Sequence, residues 1–168
     1  MKKIKIAFYK ANNPNANWKD KLIAWWTNGT YSHVEYVYEE NDKMVQCSAS
    51  PRDGVVRCKP HKYDPSKWDY LELYISDKNY KVAKQFFKSI DGMKYDWLGI
   101  LGFVIPIFRD RDNMWFCSET ITNLMKIFGY RTFWTVDPSE TDPNKLYRLL
   151  KEHIDYMYGD NNTQDKES

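Results

Sequence analysis

Between Tyr31 and Ile75 the chain passes through four β-rich stretches, YSHVEYVYEE, MVQCSAS, GVVRCK and WDYLELYI, with END and PRDG as hairpin connectors. This spacing predicts an antiparallel meander, and a sheet with one apolar face needs helices to cover it. KIKIAFYK supplies an opening strand, with Ile4, Ile6 and Phe8 on one face and the lysines and Tyr9 on the other, before NNPNAN breaks the pattern. Four stretches then read as helices. Trp18, Leu22, Ile23 and Trp26 mark a short one that stops at Asn28-Gly29. Ser76-Asp77 caps DKNYKVAKQFFKSID, in which Val82, Ala83, Phe86, Phe87 and Ile90 form an apolar stripe ending at Gly92. CSETITNLMKIFG sets Ile121, Leu124, Met125 and Phe128 on one face, with Glu119 in its first turn and Gly129 as its stop. Asp142-Pro143 opens a last helix through LYRLLKEHIDYMY to Gly159. The expectation is an α+β fold, an antiparallel sheet packed against helices, in one domain over 1–159, with 160–168 a disordered tail.

A length of 168 residues suits a single core. The 25 Lys and Arg nearly balance the 23 Asp and Glu, so the net charge of +2 gives no field to gather nucleic acid, and nucleic-acid binding is not expected. The longest apolar window, WLGILGFVIPIF at 97–108, falls short of the ~20 residues a bilayer requires and contains Pro106, so no transmembrane segment is expected. Core packing is its simplest role, with an acyl-binding groove or peripheral membrane contact as the alternative. The apolar start is interrupted by Lys5, leaving no signal peptide, and a cytoplasmic location follows. Three cysteines, an odd number without an export signal, argue for free thiols rather than a disulfide framework. Cys47, Cys58 and His61 match no zinc spacing, so neither metal nor cofactor is expected. His153 reads as solvated surface, and Trp25 and Trp26 as core.

Cys117, in MWFCSE, stands directly before a helix, where backbone N–H groups and the helix dipole favour a thiolate and can receive the oxygen of a tetrahedral intermediate. A buried structural cysteine is the alternative. His33 lies at the start of a strand, a rigid platform for a general base, although a strand histidine satisfied by a neighbour would look the same. Two residues are placed to orient its imidazole: Glu35 on the same strand face, and Gln46 across the hairpin, out of exact register. Gln46 is the preferred partner. Arg52, in the PRDG turn, serves the turn or reads an anionic substrate from a neighbouring cleft.

SHVE opening a strand, followed some eighty residues later by FCSE opening a helix, resembles the circularly permuted NlpC-type papain-like cysteine hydrolases, the YiiX and lecithin:retinol acyltransferase branch, in which histidine precedes cysteine. SASPRDGVVR, KYDWLGI and WFCSE resemble phage-encoded members, and the likeness covers roughly 4–137. It implies a permuted papain-like domain with Cys117 as nucleophile, His33 as base and Gln46 as the third polar residue. Tyr95 is similar to the family tyrosine that helps hold substrate or oxyanion. One departure is Glu35, where members commonly carry a small residue; a carboxylate there alters the base or competes for its proton.

The reading that results is a cysteine-dependent hydrolase of an amide, ester or thioester, a cell-wall peptidase or amidase acting on a peptide or acyl substrate such as a peptidoglycan peptide. Two alternatives stand beside it. One is a catalytically silent module that binds a host protein through an aromatic-rich surface, suggested by an aromatic content of 17%. The other is a lipid acyltransferase at a membrane face. Oligomeric state is not legible in the sequence.

Overall fold

The computed structural model describes residues 1–95 and 114–159. Strands β1 (Lys2–Lys10), β2 (Tyr31–Glu40), β3 (Lys43–Ser50), β4 (Val55–Pro60), β5 (Trp68–Ile75), β6 (Lys94–Tyr95) and β7 (Met114–Trp115) lie in the order β5-β1-β2-β3-β4-β6-β7. Neighbours run antiparallel except the short β6–β7 pair. Asn41 and Asp42 both take positive φ, 51° and 60°, the backbone a tight two-residue hairpin requires between right-twisted strands. The fold is α+β, as its alternating strands and capped helices predict.

The expected four-stretch meander holds for its first three members only. β5 does not follow β4 in the sheet; it pairs with β1 at the far edge, where Ile4 lies opposite Leu73 and Ile6 opposite Leu71. The free side of β4 is taken by β6 through Val55 and Lys94. Residues 61–67 make the crossing over the sheet's polar face, with the His61 N–H donating to the Met44 carbonyl at one end and the Lys10 N–H to the Lys67 carbonyl at the other.

Helices α1 (Trp18–Trp26), α2 (Asp77–Ser89), α3 (Cys117–Ile127) and α4 (Pro143–Tyr158) begin at side-chain caps in three cases: Asn17, Ser76 and Asp142 each accept from first-turn N–H groups. The apolar sheet face, including Ile4, Phe8, Val34, Tyr36 and Leu73, meets α2, α3 and α4 through Phe87, Ile121, Leu124, Leu146 and Leu150 in one continuous core. Asn144 of α4 clasps the start of β2, accepting from the Tyr31 N–H at 2.9 Å and donating to the Tyr31 carbonyl at 3.0 Å and to Thr27 Oγ1 at 2.8 Å. No helix among the described residues is long and apolar enough to cross a membrane.

Three expectations are corrected. The first helix forms where its spacing places it, yet Trp18, Leu22 and Trp25 are exposed, at 69, 50 and 73%. Its inward side bears Asp20, which accepts from Ser32 Oγ at 3.1 Å and from Arg52 Nη2 at 3.1 Å, so a polar contact orients the helix. His153 is buried rather than solvated, its ring stacked on Tyr130 with centroids 4.1 Å apart. Cys47 and Cys58 are joined in a disulfide instead of remaining free thiols, because the PRDG turn sets Ser50 opposite Val55 and hence Cys47 opposite Cys58. The window 97–108 and the tail 160–168 lie outside the described residues.

Candidate active site

The strand period places His33 and Glu35 on the polar face of β2, with Tyr9 of β1 directly opposite His33 and Ala7 opposite Glu35. On β3 and β4 the same face presents Gln46 and Ser48, paired with Lys59 and Arg57. The observed β2–β3 pairing ends at Tyr36 and Cys47, and α3 packs against both strands. Cys117 is the first residue of α3 and is buried. Its N-cap, Phe116, contributes no side-chain hydrogen bond to the first turn.

These placements bring Cys117 and His33 together from residues 84 positions apart in the sequence. The imidazole is buried, and its two nitrogens differ. Nε2 lies 2.8 Å from Glu35 Oε1. Nδ1 has no aligned hydrogen bond among the described residues, and the Cys117 side chain is the neighbour that acts on the ring from outside β2. Burial pulls the His33 pKa down, but Cys117 and Glu35 together outweigh it and push it up to about 9.

Glu35, only 1% exposed, accepts from His33, from both terminal nitrogens of Arg57, and from Gln46 Nε2 at 3.4 Å. Burial pushes its carboxyl up; His33 and then Arg57 overcome that and hold it below the ordinary carboxylate range. Gln46 stands one step further back. Its Oε1 accepts from His61 Nδ1 at 2.5 Å, and His61 Nε2 accepts from Tyr70 Oη at 3.0 Å. Burial lowers the His61 pKa, which suits a neutral ring donating from Nδ1.

The imidazole's partner is therefore Glu35, not the preferred Gln46. Register explains it: Gln46 lies opposite Val37, four residues along β2 from His33, whereas Glu35 is the next residue on the same face. Arg52 does reach the cleft beside His33, its guanidinium 4.8 Å from the Tyr9 ring centroid and its Nη2 on Asp20. Tyr95 is buried in the apolar core, its N–H donating to the Gly54 carbonyl, and it does not line that cleft. Arg57, Tyr70 and Trp68 carry no sequence expectation, and His61 enters the sequence analysis only as a zinc ligand whose spacing fails. Arg57 was accessible by counting outward from the PRDG turn, which sets it opposite Ser48; the other three arrive through the unforeseen crossing to β5.

A cleft of about 60 Å³ is lined by Tyr9, His33, Arg52 and Trp68 among others; Cys117 is not part of its lining. Among the described residues no group of three His, Cys, Asp or Glu is arranged to hold a metal ion. A thiol, an imidazole and a buried carboxylate in series can transfer a proton from sulfur and return it to a leaving group. No protein-family model matches the chain, and no curated protein matches it.

Proposed function

We propose that this protein is a cysteine-dependent hydrolase of an amide, ester or thioester bond, with Cys117 as nucleophile, His33 as general acid and base, and Glu35 as the residue that orients the imidazole. One observation carries the reading: the buried His33 ring has a carboxylate at Nε2 and Cys117 among the groups that act on it. Glu35 accepts the Nε2 proton, and the proton given up by the thiol is held on Nδ1 as sulfur bonds to the substrate carbonyl carbon. The imidazolium then protonates the leaving nitrogen, oxygen or sulfur while that atom's bond to carbon breaks. Water attacks the resulting thioester, giving its proton to Nδ1, and the acid departs as the thiol is restored. First-turn N–H groups of α3 supply the place for the oxyanion.

The cleft's aromatic walls and the Arg52 guanidinium favour a peptide that bears a carboxylate, as peptidoglycan stems do. The experiment is turnover of a panel of muropeptides, acyl thioesters and lipid esters by the protein and by Cys117→Ala. Release of product by the former, falling by about 10³-fold or more in the latter, is expected. Turnover that survives Cys117→Ala, or none on any member of the panel, would remove the proposal.

A further inference from the structure

The carboxylate beneath the imidazole is itself held, and its holder stands on another strand. Arg57 donates from Nη2 to Glu35 Oε1 at 2.5 Å and from Nη1 to Oε2 at 2.8 Å, a fork that engages both oxygens. Its Nε donates to Asp53 Oδ2 at 2.6 Å, and the same oxygen accepts from Lys59 Nζ at 2.8 Å. The Asp53 N–H in turn donates to Ser50 Oγ at 3.2 Å. Only 13% of the Arg57 side chain is exposed, so the guanidinium is fixed at both ends and largely shielded from water. Ser48, paired opposite Arg57, is small enough to let the fork reach β2.

This clamp has a consequence for the proton on the other side of Glu35. A carboxylate accepts, so it requires Nε2–H on the imidazole and leaves Nδ1 bare for a thiol proton. A protonated Glu35 would instead donate to Nε2, and a neutral ring would then carry its proton on Nδ1, a tautomer unable to accept from sulfur. We propose that Arg57 is a positioning residue that selects the working tautomer of His33: by keeping Glu35 a bound carboxylate, it commits the ring proton to Nε2 and frees Nδ1 towards Cys117. The consequence for turnover rests on the hydrolase reading; the tautomer does not.

The groups facing this pair are His33 on β2, Gln46 on β3, Arg57 with Asp53 and Lys59 around β4, and Cys117 on α3; His61 and Lys5 act from further off. Burial pushes the Glu35 pKa up. Of the two groups that oppose this, only Arg57 is charged at every pH of interest.

The test is ¹⁵N NMR of the histidine rings, alongside turnover, in Arg57→Gln and Arg57→Lys. Above pH 9 the original protein should show His33 as the Nε2–H tautomer. Near pH 7, where the original ring is the imidazolium, Arg57→Gln should show a neutral ring carrying Nδ1–H beside a protonated Glu35, with Arg57→Lys between the two. Should Arg57→Gln fail to fold, Asp53→Asn loosens the fork while keeping both charges, and should shift the tautomer the same way by less. An unchanged His33 tautomer in every folded variant would overturn the proposal. A tautomer shift in a protein that turns over no substrate would uphold Arg57's role and remove the hydrolase reading instead.

Discussion

His33 is the residue on which chemistry and stability meet. In the unfolded chain its pKa is near the usual 6.5, and in the fold it rises to about 9 because Glu35 and Cys117 favour the charged ring more than burial opposes it. A raised folded-state value means the native state holds the proton more tightly. The stabilisation is then fully present below about pH 6.5 and is lost as pH climbs through about 9. Chemical denaturation across this window should show a loss on the order of 1–3 kcal/mol that His33→Gln lacks. Parallel slopes for the two proteins would mean that Glu35 and Cys117 do not hold the imidazole as described. At this scale Cys117 and His33 were both legible, since each sits at the start of an element whose period or cap is plain. The choice of Glu35 over Gln46 was not, because a same-face neighbour and a cross-strand neighbour differ only by register, and register depends on where the hairpin turns.

Elements hold these residues through a few polar joints. Asn144 fixes the last helix to the first residue of β2, two positions before His33, and an added Cβ at Gly29 would fall on the Asn144 side chain. Asn144→Ala strips partners from the buried Tyr31 N–H and carbonyl, and should lower unfolding free energy by about 1–3 kcal/mol in urea titration. Gly29→Ala should cost a similar amount, and the double variant distinctly less than both together, because the two changes remove one joint. Strict additivity would contradict the clasp. Helix starts were readable from Ser76 and Asp142, whose caps are local. The inward face of α1 was not: Trp18, Leu22 and Trp25 make the stronger apolar pattern, and the Asp20 contacts that override it come from Ser32 and Arg52, distant in sequence. The Cys47–Cys58 bond is legible in the symmetry of the PRDG turn, although three cysteines without an export signal point the other way.

Over the whole molecule, the α+β class followed from alternation and capping, whereas the strand order did not. A strand joins a sheet through an open hydrogen-bonding edge, and β5 takes that of β1 while β6 takes that of β4. That crossing carries His61 over the polar face, with Tyr70 beside it on β5, and so completes the surroundings of Glu35, which is why this part of the site is invisible until the chain is folded. The central claim is that the fold makes Cys117 and His33 a single reactive couple. With Cys47 and Cys58 bonded to each other, Cys117 is the one free thiol among the chain's three cysteines, so alkylation reports on it alone. The decisive measurement is the rate of iodoacetamide labelling at pH 7, read by intact mass, in the protein and in His33→Ala. The account predicts that loss of the imidazole slows labelling by roughly tenfold or more. Equal rates in the two folded proteins would contradict it.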